Sequence, residues 1–194
     1  MRLRLHSKWM VWAAAVVLLL AGLVLRLVDL HDAPLDFHPT RQLHSALIAR
    51  GMYAQTAPQY SDWQRQRAAQ QQAGQELIEP QIMERLSAWG YSLLGREDLA
   101  VPRLLAIFFW TLGGLGLFWL GLDLVGAGGA LAALTLYLFL PYGVYASRAF
   151  QPDPLMTAAM IWALWALLRW QRKPGWGRAL AAGTLTGLAT YIKL

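Results

Sequence analysis

Trp9-Met-Val-Trp-Ala-Ala-Ala-Val-Val-Leu-Leu-Leu-Ala-Gly-Leu-Val-Leu-Arg-Leu-Val28 is an apolar run interrupted only by Arg26. A helix rises 1.5 Å per residue, so about 20 such residues match the ~30 Å hydrocarbon core of a bilayer. The run reads as a membrane span. It is too long for the core of a signal peptide, and no small-x-small site follows it cleanly, so it reads as a retained anchor. Arg2, Arg4 and Lys8 precede it; Lys and Arg favour the cytoplasmic flank, which sets the N-terminus in the cytoplasm. The segment that follows, about residues 29–99, is then outside.

The totals agree with a multi-span protein. The 194 residues are 57% hydrophobic and only 14% charged, with a mean hydropathy of +0.35, values that soluble domains rarely reach. The net charge of +6 sits beside apolar runs rather than in an aromatic-basic ladder, so it speaks for membrane topology and against nucleic acid. With no cysteine, thiol catalysis, disulfides and cysteine metal sites are excluded.

Three pieces make up the outer segment. The first opens with Asp36 to Arg50; from Thr40, Leu43, Ala46, Leu47 and Met52 recur at helical spacing while Arg41, Gln42, Ser45 and Arg50 are polar, as in a helix lying at a membrane surface. Gln59 to Gln75 is rich in Gln and Arg and has no apolar face; it reads as a solvated helix or a mobile insertion. Pro80 to Leu94 carries Ile82, Leu86, Trp89 and Leu93 at helical spacing with Gly95 as a stop, a second amphipathic surface helix.

Four further spans follow: Pro102 to Val125, Ala130 to Ala146 with a kink at Pro141, Pro154 to Trp170, and one starting near Ala179. Gly113, Gly114, Gly116 and Gly121 would let neighbouring spans approach, and Gly126 to Gly129 reads as a tight turn. Arg169, Arg172, Lys173 and Arg178 mark the cytoplasmic end. Trp9, Trp12, Trp170 and Trp176 fall near that same interface. The last span stops at Leu194 without a cap, so the chain reads as the N-terminal part of a larger protein.

This topology brings Asp36, after the first span, and Asp153, before the fourth, to one outer face. Two carboxylates there would bind a divalent metal ion or take a proton from an attacking hydroxyl. Arg41, Arg103 and Arg148 are suitable phosphate partners, and Lys193, well inside the fifth span, calls for a polar partner. Each residue has a plainer reading. Asp153 before Pro154 is a good N-cap, Asp36 is a solvated loop residue, His38 and His44 are polar surface groups, and Arg103 and Arg148 reach for lipid headgroups. Glu79-Pro80 reads as a helix start and no more.

The order of several short motifs then carries a resemblance. His38-Pro39, Ala46-Leu-Ile-Ala-Arg50, Leu94-Gly95, Val101-Pro-Arg-Leu-Leu105, Ser147-Arg-Ala-Phe-Gln-Pro-Asp153-Pro and Gly187-Leu-Ala-Thr-Tyr-Ile-Lys193 resemble the N-terminal part of the membrane-embedded GT-C glycosyltransferases, the class containing protein O-mannosyltransferases and aminoarabinose transferases. The resemblance implies an all-α, multi-pass helical bundle of about five spans with a large outer loop. It also implies transfer of a sugar from a polyprenyl-phosphate donor to a lipid, glycan or protein acceptor at the outer face of the plasma (inner) membrane.

Asp36 and Asp153 would be the catalytic and metal-binding pair, and His38, Arg41, Arg103, Arg148 and Lys193 would contact substrate. Such enzymes often place Asp-Glu at the start of the surface helix. Here Thr40-Arg41 stands there, and Asp36 lies four residues upstream. Two other classes stand beside it: a transporter or flippase half that would use the arginines and Lys193 to bind an anionic lipid without needing the carboxylates, and a non-catalytic assembly subunit in which the glycines matter and the outer loop is a docking surface.

Overall fold

The computed structural model describes residues 5–193, and it is all helical over them. Arg2 and Arg4 of the basic N-terminal flank lie outside the described residues. In chain order the helices are α1 (Leu5–Leu27), α2 (Pro39–Ala54), α3 (Asp62–Ala73), α4 (Ile82–Leu94), α5 (Ala100–Leu124), α6 (Gly126–Phe139), α7 (Pro141–Ala146), α8 (Asp153–Arg172) and α9 (Trp176–Ile192). Two stretches, Lys8–Leu27 and Ala100–Leu124, are long and apolar enough to cross a membrane, and α6 is a shorter apolar helix. Val16, Val17, Leu20 and Val24 of α1 are exposed, an apolar face that lipid can cover and water cannot.

Polar contacts between helix ends fix which ends lie together. Arg103, near the start of α5, donates to the carbonyls of Asp29 and Leu30 just beyond α1. Lys193, after α9, reaches Asp153 at the start of α8. At the opposite end Arg172 of α8 donates to the carboxylate and carbonyl of Asp123 in α5. α5 therefore runs antiparallel to α1 and parallel to α8, and α9 runs antiparallel to α8.

One apolar core joins α1, α5 and α6 through Ala15, Phe118, Leu134 and Leu138. A second ties α2 and α4 to the bundle: Tyr53 of α2 and Met83 and Tyr91 of α4 share it with Ala106, Leu155 and Ile192.

Several local expectations change. The reversal after α5 takes place at Val125 and Gly126, the latter at φ 79°, and Gly128 and Gly129 already belong to α6. Pro141 does more than kink a span. Leu140 is extended and Pro141 starts a separate six-residue helix, because its ring cannot follow an α-helical residue without clash.

α2 and α4 bury different faces from those their apolar spacing suggests. In α4 the buried residues are Met83, Glu84, Ser87, Ala88 and Tyr91, while Trp89 and Leu93 are exposed. In α2 Gln42 and Ser45 are buried and Leu43 is exposed. Residues 59–75 contain an ordered helix with a capping box, Ser61 and Gln64 each bonding the other's backbone N–H. Ala68 of this helix is buried, and Gln72 packs over Gly51 of α2.

The α5–α6 crossing depends on glycine. A Cβ on Gly121 would stand 2.8 Å from the Cα of Ala130, a backbone atom that cannot rotate away. Gly121→Ala is expected to cost about 1–3 kcal/mol through overpacking. Gly128 has nothing within 4 Å of such a Cβ, so Gly128→Ala should be neutral or gain up to ~1 kcal/mol of helix propensity. Thermal midpoints of the two variants in one detergent check the contrast.

Candidate functional site

Where the ends of α2, α7, α8 and α9 meet, an open cavity of about 400 Å³ is lined by residues from four helices, two links and Lys193 just after α9. Phe37 and His38 enter it from the segment after α1, Arg41 from α2, Trp110 from α5, Tyr142 from α7, Gln151 and Asp153 from the α7–α8 region and Lys193 from the end of α9. His38 is the N-cap of α2 and has a left-handed backbone, φ 46° and ψ 62°. That conformation is uncommon for a residue with a Cβ, though His tolerates it better than most. Pro39 fits the first helical turn with its fixed φ and missing N–H. Together they turn the chain so that residues 37 and 38 face the cavity while Arg41 follows one turn on.

The link is held from both sides. Gln42, almost fully buried, donates its amide to the carbonyl of Phe37 (2.5 Å) and accepts from the backbone N–H of Phe150 (3.1 Å). The Phe37 ring meets Tyr142 edge-on at 5.5 Å. One glutamine thus joins the segment after α1 to the residues leading to Asp153.

Lys193 Nζ donates to Asp153 Oδ1 at 2.8 Å, with both side chains about one third exposed. A pair this exposed is worth at most about 1 kcal/mol, so it can open to a ligand at low cost. Asp153 is the first residue of α8 and Pro152 its N-cap; the N-cap reading of Asp153 gives way to the ion pair. Beside it Gln151 Nε2 and Trp110 Nε1 are buried and have no partner among the described residues. Buried donors are rarely left unpaired, and both residues line the cavity.

Arg41 Nη2 is 2.8 Å from Glu79 Oε2. Glu79 is therefore a partner of the candidate site as well as a residue near a helix start.

The other proposed contacts sit elsewhere. Arg103, 2% exposed, spends its guanidinium on the carbonyls of Asp29 (3.2 Å) and Leu30 (2.8 Å). Arg148 also donates to the Asp29 carbonyl, at 2.9 Å. Asp29 has a left-handed backbone, φ 53°, and the two arginines secure the turn out of α1. Neither lines the cavity; their donors are engaged by main-chain carbonyls of the turn after α1. Asp36 is exposed and also absent from the cavity lining. Among the described residues no group of three or more His, Asp or Glu side chains could hold a metal ion. With Asp153 already paired to Lys193, the Asp36–Asp153 pair does not form a fitting metal site.

A second polar cluster lies just behind. Ser45 Oγ donates to Glu84 Oε1 at 2.7 Å, both residues buried between α2 and α4. Burial pushes the Glu84 carboxyl above its ordinary value, more than the Ser45 hydrogen bond lowers it. The folded protein therefore holds this proton more tightly than the unfolded chain. The associated stability is present below the ordinary carboxylate pKa and is lost as pH rises through the raised one. Glu84→Gln is expected to flatten that decline, measured as thermal midpoint against pH from the acid side upward; an unchanged slope would assign the decline to other groups.

Sequence reading missed Trp110, Tyr142, Gln151 and Thr157 as cavity residues, since each looks like ordinary span or loop content. Arg26 did carry a signal. An arginine in an apolar span needs partners, and it finds Ser147 Oγ (2.6 Å), the Gly22 carbonyl (2.8 Å) and the Leu138 carbonyl (2.9 Å).

Residues 80–194, more than half of the chain, match the family model described as dolichyl-phosphate-mannose-protein mannosyltransferase. The match includes Trp110, Gln151, Asp153 and Lys193 of the cavity, and begins after His38 and Arg41. No curated protein and no solved structure matches the chain.

Proposed function

We propose that this chain, which belongs to the dolichyl-phosphate-mannose-protein mannosyltransferase family, transfers a sugar from a polyprenyl-phosphate donor to an acceptor hydroxyl in the cavity at Asp153, on the outer side of the membrane. Family membership makes it a membrane glycosyltransferase of GT-C type; donor, acceptor side and residue roles are our reading. The observation that carries the reading is the Lys193–Asp153 pair beside two unpartnered donors, Gln151 Nε2 and Trp110 Nε1.

In this reading the acceptor oxygen attacks the anomeric carbon as the bond from that carbon to the phosphate oxygen breaks, its electron pair leaving with the phosphate. Asp153 takes the acceptor proton. Lys193, released from Asp153, and Arg41, exchanging Glu79 for the ligand, face the growing negative charge on the phosphate. Gln151, Trp110 and His38 hold sugar or phosphate oxygens. Asp153 is favoured over Asp36 as the base because it lines the cavity. Asp36, two residues before His38, contributes charge near the mouth. No step passes through a metal ion.

The polyprenyl chain would lie along the bundle with its phosphate at the span ends. Five crossings, a cytoplasmic N-terminus and surface positions for α2 and α4 complete the arrangement, in the plasma (inner) membrane. Exposed Trp89 and Leu93 of α4 and Leu43 of α2 support contact with lipid, and the acceptor is a protein, glycan or lipid.

Single cysteines in the naturally cysteine-free chain test the sidedness. Ser61, Tyr142 and Gly175 are exposed. With a membrane-impermeant thiol reagent on intact cells, Ser61→Cys and Tyr142→Cys should label and Gly175→Cys should label only after permeabilisation. Labelling of Ser61→Cys and Tyr142→Cys from opposite sides would falsify the shared outer site.

A further inference from the structure

A second groove shares no lining residue with the cavity. It has a volume of about 530 Å³ and runs between α3 and the link from α4 to α5. Its floor is neutral: Glu97 accepts from Arg50 Nε (2.8 Å) and from the Tyr60 hydroxyl. Burial and Glu97 together raise the Tyr60 pKa, so the phenol remains a donor. Its rim is cationic and aromatic. Trp63 is 64% exposed, and Arg67, one helical turn on, lies with its guanidinium 5.6 Å from the Trp63 ring centroid. Arg67 makes no hydrogen bond or ion pair among the described residues, and Arg96 stands opposite. Arg50 is paired with Glu97 and the exposed Arg96 with Asp98 outside the lining (3.1 Å), which leaves Arg67 as the surplus positive charge. On the other side of the Trp63–Arg67 ridge a depression of about 510 Å³ is lined by Gln66, Gln70 and Gln71.

This is a chemically specific surface. An exposed indole face offers a flat apolar platform, side-chain amides pair with hydroxyls in either direction, and guanidinium groups take carboxylates or sulfates by charge-assisted hydrogen bonds. An extended acidic peptide would need a strand edge or apolar sockets for its side chains; the described residues form no strand, and the groove offers one aromatic face. We infer that this groove binds an anionic saccharide, with a sugar ring on Trp63 and its acidic groups facing Arg67 and Arg96. The capping box and the buried Ala68 keep α3 ordered, so the ridge is presented without first having to fold.

The test uses the full chain in lipid nanodiscs and fluorescently labelled trigalacturonate, followed by polarisation. Saturable binding is expected, weakened at least 10-fold in both Trp63→Ala and Arg67→Gln. Neutral maltotriose should compete at least 10-fold less well than unlabelled trigalacturonate. Because Trp63 and Arg67 are exposed, both variants should elute as wild type does. Asp153→Asn should bind the probe normally, which separates this groove from the transfer site: loss of transfer with binding retained leaves the inference standing. Absence of saturable binding, unchanged affinity in both variants, or equal competition by maltotriose would overturn it. Equal displacement by polyglutamate or by anionic liposomes would also overturn it, and would assign the groove to an acidic polypeptide or a lipid surface.

Discussion

Asp153→Asn should lower sugar transfer at least about 100-fold, the lower end of what a positioned general base contributes. The substitution keeps size and shape, and the amide oxygen can still accept from Lys193, which now donates to Asp153 at 2.8 Å. What disappears is the negative charge and the capacity to take the acceptor proton. The loss should therefore appear in kcat, with KM for the lipid-linked donor changed by no more than about threefold. Lys193→Gln should show the complementary pattern, a raised KM for the donor, because the phosphate loses a cation. Expression level and elution profile should match wild type for both, since the pair is about one third exposed and contributes little to stability. Transfer by Asp153→Asn at the wild-type rate would remove Asp153 from the mechanism and return Asp36 to consideration. Intact lipid binding with no transfer in the wild type would instead favour a transporter.

Arg26→Ala should be the most damaging single change to the fold, at about 3 kcal/mol. The side chain is fully buried and joins three places: its own helix at Gly22, the break between α6 and α7 at Leu138, and Ser147 in the link to α8. Truncation leaves the Leu138 carbonyl without its guanidinium donor, next to the helix break where the extended Leu140 interrupts the backbone ladder. An orphaned buried polar group costs about 1–3 kcal/mol, and the space left by the side chain adds a cavity term. Arg26→Lys keeps the charge but loses the planar fork and should fall between Ala and wild type. Ser147→Ala removes one of the three bonds and should cost about 1 kcal/mol. Thermal midpoints in a single detergent should rank wild type, Ser147→Ala, Arg26→Lys and Arg26→Ala in that order. An Arg26→Ala midpoint equal to wild type would mean that the network carries no stability.

Much of the architecture was legible in the residues. The first apolar run, the Pro102 entry to α5 and the basic cluster after α8 are one-dimensional signals, set by bilayer thickness and charge. The GT-C resemblance likewise rested on short motifs in a fixed order, and the family match over residues 80–194 agrees with it. Asp153 and Lys193 were both singled out, but not that they meet. Nor did periodicity identify the buried faces of α2 and α4. It ranks positions by apolarity, whereas Gln42, Ser45 and Glu84 are buried because each finds a partner across a helix boundary. Arg103 and Arg148 suited phosphate by type alone; the backbone turn at Asp29 that uses them has no signature in composition.

The amino-acid sequence by itself determined an all-α membrane chain, a polar segment between its first two apolar spans, and membership of a glycosyltransferase family. Those properties follow from local hydrophobicity, helix signals and motif order, which neighbouring residues decide among themselves. Only the tertiary structure decided which polar groups meet. Lys193 and Asp153 are 40 positions apart, Arg26 and Ser147 are 121 apart, and Gln42 and Phe150 are 108 apart. Each contact depends on which helix ends pack together and at what rotation, and burial then obliges the polar groups brought there to find partners.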